Sequence, residues 1–115
     1  ERMQSVDMKV SISPENAAEL VIQQVVNGNI SGELINKYTS NGQEDKSLVV
    51  LVFEKYYMRN SSRASLTVTL ENLNAITRVH AVGSGGGQGV IFKFDWGASS
   101  EFSDQVTRAL KEYAL

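Results

Sequence analysis

The chain contains no cysteine. Disulfide bonds, thiolate metal centres and cysteine nucleophiles are therefore excluded, and the absence suits a reducing compartment. Histidine, proline and tryptophan occur once each, as His80, Pro14 and Trp96. With one histidine and no thiol, no metal-ligand set is visible, and no metal or cofactor is expected. Neither sign of charge prevails: 11 basic residues stand against 13 acidic ones, for a net charge of -2. Such a balance leaves no electrostatic footprint for nucleic acid and disfavours an anionic membrane surface. The longest unbroken apolar run, 48–53, falls far short of the ~20 residues that span a bilayer. Segment 1–7 is polar and shows no secretory hydrophobic region, so a cytoplasmic location is the expectation.

At 115 residues the length suits one domain. Segment 1–7 reads as a disordered leader and 8–115 as a single α+β domain. Residues 8–13 alternate, with Met8, Val10 and Ile12 on one side, as in a half-buried strand. Ser13-Pro14-Glu15 is a helix start: serine caps, proline fits the first helical position and an acid suits the positive end of the dipole. Ala18, Val21, Ile22 and Val25 then form one apolar stripe. Asn27-Gly28-Asn29 ends the helix, with Gly28 able to take the left-handed conformation.

Residues 30–39 form a weaker strand candidate, and 41–45 a turn. The apolar run 48–53 fits a strand covered on both faces, continuing through Tyr56 and Tyr57. Asn60-Ser61-Ser62 is the expected hairpin turn. Next comes a clean alternation, with Ala64, Leu66, Val68 and Leu70 inward and Ser65, Thr67, Thr69 and Glu71 outward. A turn at 72–74 leads to a strand over 75–82. A last strand over 90–96 places Val90, Phe92, Phe94 and Trp96 on one face. A closing helix, capped by Ser99 or Ser100, carries Phe102, Val106, Ala109, Leu110 and Tyr113 on one stripe. On its wet face Asp104–Arg108 and Arg108–Glu112 can pair at i, i+4. The expected order is β-α-β-β-β-β-β-α: a curved antiparallel sheet with two helices packed on one face. The expected core contains Val10, Ile12, Val21, Val25, Val50, Val52, Leu66, Val68, Phe92, Phe94, Phe102, Val106 and Leu110.

Five of the nine glycines fall in Gly83-Ser84-Gly85-Gly86-Gly87-Gln88-Gly89. Successive amides in such a stretch can converge on an anion. Phosphate fingerprints do not fit: Gln88 stands where a dinucleotide motif needs glycine, and Val90 opens a strand where a P-loop needs a helix. The competing reading is a flexible hairpin connection, or a strand with bulges that lets another element pass close. Arg78 and His80 share a face nearby, where an ordinary exposed strand residue is the plainer account of His80. Tyr56, Tyr57, Arg59 and Arg63 cluster at a hairpin tip, a pattern compatible with single-stranded nucleic acid, although the acidic balance favours a solubilising tip or a partner-binding surface. Glu54 and Asp95 are acids within strands, with nothing to bring them together.

Segment 81–94, read beside Phe53-Glu54-Lys55-Tyr56, resembles a small bacterial family of unknown function. Its members are short single-domain proteins with a late Ser-Gly-Gly-like segment and a C-terminal amphipathic helix. This resemblance implies no catalytic residue. In architecture the chain is also similar to the helix-grip fold of the pollen-allergen and lipid-transfer superfamily. That likeness implies an apolar ligand between sheet and last helix. The chain departs from it by its late glycine stretch and its single N-terminal helix.

These readings lead to a non-enzymatic binding or interaction protein. A small apolar or anionic ligand would sit near the glycine stretch 83–89 and the C-terminal helix, its polar end held by amides of Gly85 to Gly87 with Arg78 or His80 nearby. Its apolar part would lie against Phe92, Phe94 and Tyr113. The competing reading is self-association into a homo-oligomer, through a strand edge or the tyrosine-bearing hairpin. An enzyme using His80 ranks third, because no second titratable group is seen to converge on it.

Overall fold

Alternation and capping are realised in a computed structural model, which describes residues 3–27, 32–57, 62–86 and 105–115. The elements are β1 (Met3–Val10), α1 (Pro14–Asn27), β2 (Glu33–Asn41), β3 (Ser47–Tyr57), β4 (Ser62–Asn74) and β5 (Ile76–Gly86). A second helix, α2, is described over 105–110 and tightens into a 3-10 turn at Lys111–Tyr113. The strands form one antiparallel sheet in the order β1-β5-β4-β3-β2. This is the expected α+β arrangement. The strand expected at 90–96 lies outside the described residues.

α1 begins as its sequence dictates. The Asn16 amide donates to Ser13 Oγ at 3.1 Å, and the Ala17 amide to the Ser13 carbonyl at 2.9 Å. Its stripe of Ala17, Ala18, Val21 and Val25 is buried. That stripe joins one cluster with Val49, Leu51 and Phe53 of β3, Leu66, Val68 and Leu70 of β4, Val79 and Ala81 of β5, and Val106 and Leu110 of α2. Both helices therefore pack on the same face of the sheet.

Three expectations are corrected. The first concerns parity in β3. Val49, Leu51 and Phe53 are buried, whereas Val50 and Val52, expected in the core, are half-buried on the opposite face. An unbroken apolar run carries no alternation to read. Pairing decides it, by setting Phe53 opposite Leu66, Leu51 opposite Val68 and Val49 opposite Leu70. Ile12 is partly buried against the core, and Phe92, Phe94 and Phe102 lie outside the described residues.

The second concerns the N-terminus, where the leader expected over 1–7 is strand from Met3 onward. Ser5, Val6 and Asp7 pair with Val82, Ala81 and His80. The segment reads as polar because its outward positions meet solvent, while Val6 and Met8 pack against the core. The strand ends at Val10 rather than 13, and the chain then turns into the helix cap.

The third concerns the glycines. The strand expected to end at 82 runs through Gly86, so of the two competing readings residues 83–86 take that of strand and not that of connection. Gly83 pairs with Leu66 on one side and Gln4 on the other. Both neighbours supply backbone partners, and hydrogen-bonded pairing requires no side chain. Residues 87–89 lie outside the described residues.

Both edges of the sheet formed by the described strands are modified. On β1 the C-terminal segment closes the far end: Ser11 N–H donates to the Tyr113 carbonyl and Leu115 N–H to the Lys9 carbonyl, each at 2.9 Å. Edge strand β2 carries a bulge between Leu34 and Asn36, and a central Lys37 held by Glu19 at 3.2 Å. Bulges and lysines are devices that discourage strand addition at a free edge.

The β2–β3 turn is clamped from β4. Ser47 N–H donates to Asn72 Oδ1 at 2.8 Å, and Asn72 Nδ2 donates to the Asp45 carbonyl at 3.1 Å. The clamp fixes a turn in which Glu44 and Asp45 both take left-handed backbone angles, φ 56 and 65. We expect Asn72→Ala to lower unfolding free energy by about 1–3 kcal/mol, since both bonds go and the Ser47 amide loses its acceptor. Urea denaturation checks this, and an unchanged midpoint would show that the clamp contributes nothing net.

Candidate functional site

The face opposite the helices is where the sequence departs most from plain alternation. An antiparallel sheet covered on one side normally shows polar residues on the other. Here β3 directs Leu48, Val50 and Val52 outward, and β5 adds Val82. Pairing arranges the outward residues in rows that run β1, β5, β4, β3, β2. One row is Asp7, His80, Thr69, Val50, Tyr38, and the next is Ser5, Val82, Thr67, Val52, Asn36. The centre of the face is thus built from valines and threonines, with Tyr38 exposed beside them.

At the β1–β5 corner lies an open depression of about 520 Å3 whose lining includes Asp7, Lys9, Thr69, Glu71, Arg78, His80 and Leu115. His80 Nδ1 donates to Asp7 Oδ1 at 2.5 Å, with both side chains more than half exposed. Thr69 faces His80 across β4–β5. The row therefore holds a hydroxyl, an imidazole and a carboxylate in order, the residue types of an acid–base relay. No hydrogen bond joins Thr69 to His80 among the described residues, and a relay on an open face lacks the water exclusion that gives such groups their effect. Arg78 stands between Glu71 and Lys9 in the pairing, and Glu71 Oε1 accepts from the Leu73 amide at 2.8 Å.

Arg63 is the basic residue of the expected hairpin cluster that can be placed. Its guanidinium lies 5.9 Å from the Tyr56 ring centroid and 3.4 Å from Glu54 Oε1. Arg59 and Asp95 lie outside the described residues. Among the expected ligand-site residues, Arg78 and His80 are on the open face, whereas Tyr113 packs against the core on the helix side. The sheet separates them. Gly83, Ser84, Gly85 and Gly86 are paired strand residues; Gly87, Gln88, Gly89, Phe92 and Phe94 lie outside the described set. The Arg108–Glu112 pair does not form among the described residues. Both residues instead line a groove of about 530 Å3 between α1 and α2, together with Leu20, Gln24 and Tyr113.

Asp7, Lys9, Thr69 and Glu71 were missed as neighbours of Arg78 and His80. The signal for the first two was present, because the alternation of 8–10 extends back through Val6. No group of three His, Asp or Glu side chains able to hold a metal occurs among the described residues, and none of their helices is long and apolar enough to cross a membrane.

Residues 3–114 match the family of unknown function DUF6054. The chain belongs to that family. No curated protein matches its sequence. Among solved structures, this family member is similar to protein MLL2253 from Mesorhizobium loti, with 14% identity, a TM-score of 0.53, and coverage of 99% of this chain and 100% of that one. TTHA0849 from Thermus thermophilus has 12% identity and a TM-score of 0.44 over 96% and 95% of the two chains. Ara h 8.0201 has 7% identity and a TM-score of 0.40 over 96% and 98%. The MLL2253 likeness is one of fold.

Proposed function

We propose that this chain is a non-catalytic interaction protein that works through the open face of its sheet. The observation that carries this reading is the outward set Leu48, Val50, Val52 and Val82, which is apolar where solvent alone would favour polar residues. These side chains are half-buried, and partly exposed apolar surface rimmed by polar groups is a mark of a partner site. The rim is present, with Lys9, Arg78 and His80 at one end and Glu33, Glu54 and Tyr56 at the other. Two further arrangements favour partner binding over the alternatives. Arg78 and His80 lie across the sheet from Tyr113, which divides the expected small-ligand site. His80 is a surface residue bonded to an exposed carboxylate, which is a poor setting for a catalytic base.

Photo-crosslinking in the expressing cell tests the reading. p-Benzoylphenylalanine at position 67, in the middle of the open face, should give a covalent protein adduct. The same probe at position 108, on the helix side, should give none. Val50→Glu in the position-67 protein should abolish the adduct. No adduct from position 67, or equal adducts from both positions, would overturn the proposal.

A further inference from the structure

Among the described residues, two like-charge pairs stand on the open face. Lys9 is directly opposite Arg78 across β1–β5, and Glu33 is directly opposite Glu54 across β2–β3. Side chains directly opposite one another on a sheet face are close neighbours, and like charges there are destabilising. The described residues thus include one unfavourable pair of each sign on a single face. Nearby charges relieve them in part: Glu71 is across from Arg78, and Arg63 reaches Glu54 at 3.4 Å. Asp7 is bonded to His80, and the Glu71 carboxylate is bonded to an amide. Lys9, Arg78 and Glu33 have no ion-pair partner among the described residues.

The positions of the pairs are related. Lys9–Arg78 lies on the two strands at one side of β4, and Glu33–Glu54 on the two at the other side. Along β4 the rows run Glu71, Thr69, Thr67, Ser65; the basic pair is level with Glu71 and the acidic pair with Ser65. The pairs therefore occupy diagonally opposite corners, and the midpoint between them falls on β4 between Thr67 and Thr69. A twofold axis lying in the face through that midpoint, perpendicular to the diagonal, exchanges the two corners. It also passes close to Val50 on one flank and Val82 on the other.

We infer that the occupant of the open face is a second copy of this chain, docked sheet to sheet about that twofold. The inference rests on the interaction reading above and names its partner. Each basic pair then meets the acidic pair of the other copy, twice over, and the valines and threonines stack along the axis. The depression beside Lys9 and Arg78 receives the acidic corner. A twofold contact is self-complementary by construction, and two opposite-sign corners on one face satisfy that condition without any other protein. The area is sufficient: five strands ~4.8 Å apart and about ten residues at ~3.4 Å cover roughly 800 Å2, the share of one partner in a standard interface. The bulged, lysine-bearing β2 edge and the capped end of β1 make edge-to-edge association the less favoured geometry.

Charge exchange tests the dimer on the purified chain by sedimentation velocity at about 100 μM, a hundredfold above a Kd of ~1 μM. Wild type should sediment at twice the 12.6 kDa chain mass. Lys9→Glu/Arg78→Glu turns both contacts acid against acid, and Glu33→Lys/Glu54→Lys turns both base against base. Each double variant should sediment as a monomer, with a far-UV circular dichroism spectrum close to wild type and a melting temperature close to that of wild type diluted to its monomeric range. Their equimolar mixture should return to the dimer mass, because each contact then joins opposite charges. A monomeric wild type, a double variant that remains dimeric, or a mixture that fails to recover would overturn the inference. A monomeric wild type whose position-67 probe captures a different protein would overturn the second copy and leave the interaction reading standing.

Discussion

Phe53→Ala will lower the unfolding free energy by about 3–5 kcal/mol, while Val52→Ala, one residue away, will lower it by about 1 kcal/mol. The contrast follows from the parity of β3. Phe53 is fully buried in the layer between sheet and helices, opposite Leu66. Truncation removes the ring's transfer free energy and leaves a cavity that close-packed neighbours such as Leu51 and Leu66 only partly refill. Val52 is half-buried on the other face, where truncation opens no cavity. Against a total stability of about 5–15 kcal/mol, the first loss removes a large share of the fold and the second is tolerated. Urea denaturation of both variants measures the difference, performed at concentrations low enough to keep the chain monomeric. Equal losses would mean that the open face is covered as tightly as the core, and the account of β3 would fall with that result.

The second large effect belongs to Gln105. It is completely buried, and its Oε1 accepts from Gln24 Nε2 at 2.8 Å, tying α2 to α1 across a sequence separation of 81 residues. Its own Nε2 finds no acceptor among the described residues. Gln105→Glu will cost at least about 3 kcal/mol at neutral pH, because an uncompensated carboxylate is then buried between the helices. The sign of the pH dependence is set by the same burial. The folded variant holds its proton more tightly than the unfolded chain, so its deficit grows as pH rises and shrinks as pH falls. Gln105→Leu removes the charge question and the orphaned amide together. It will stay within about 1 kcal/mol of wild type, since the half-exposed Gln24 can turn to water. Denaturation of the three proteins at acidic and neutral pH separates these outcomes. A Gln105→Glu protein as stable as wild type at neutral pH would show that this position is not sealed.

Some elements declare themselves locally, and those were legible. Ser13-Pro14-Glu15 carries its own cap and φ preference, and the observed helix starts at Pro14. The strict alternation from Ala64 to Leu70 states which side is dry, and those four apolar residues are buried. Arg78 and His80 are two residues apart in a strand and share a face by geometry alone. The fold class followed from the same local signals, since two amphipathic helices and a run of short-linked strands admit few arrangements.

What depended on distant partners was not legible. An apolar run such as 48–53 has the same composition whichever parity is buried, and β4 decides it by register. The polar segment before Met8 reads as a tail until β5 offers it backbone partners. Residues 83–86 read equally as a connection or as a bulged strand because glycine reports only on conformational freedom, and pairing decides for strand. The same holds for the site. Asp7 and His80 are 73 residues apart, and only the β1–β5 pairing brings them together. The opposed pairs Lys9–Arg78 and Glu33–Glu54 likewise exist only once strand order and register are set. Helix caps and alternation are properties of neighbours along the chain, so sequence alone determined them. Which charges meet, and which apolar face stays open, are properties of neighbours across the sheet, and tertiary pairing alone decided them.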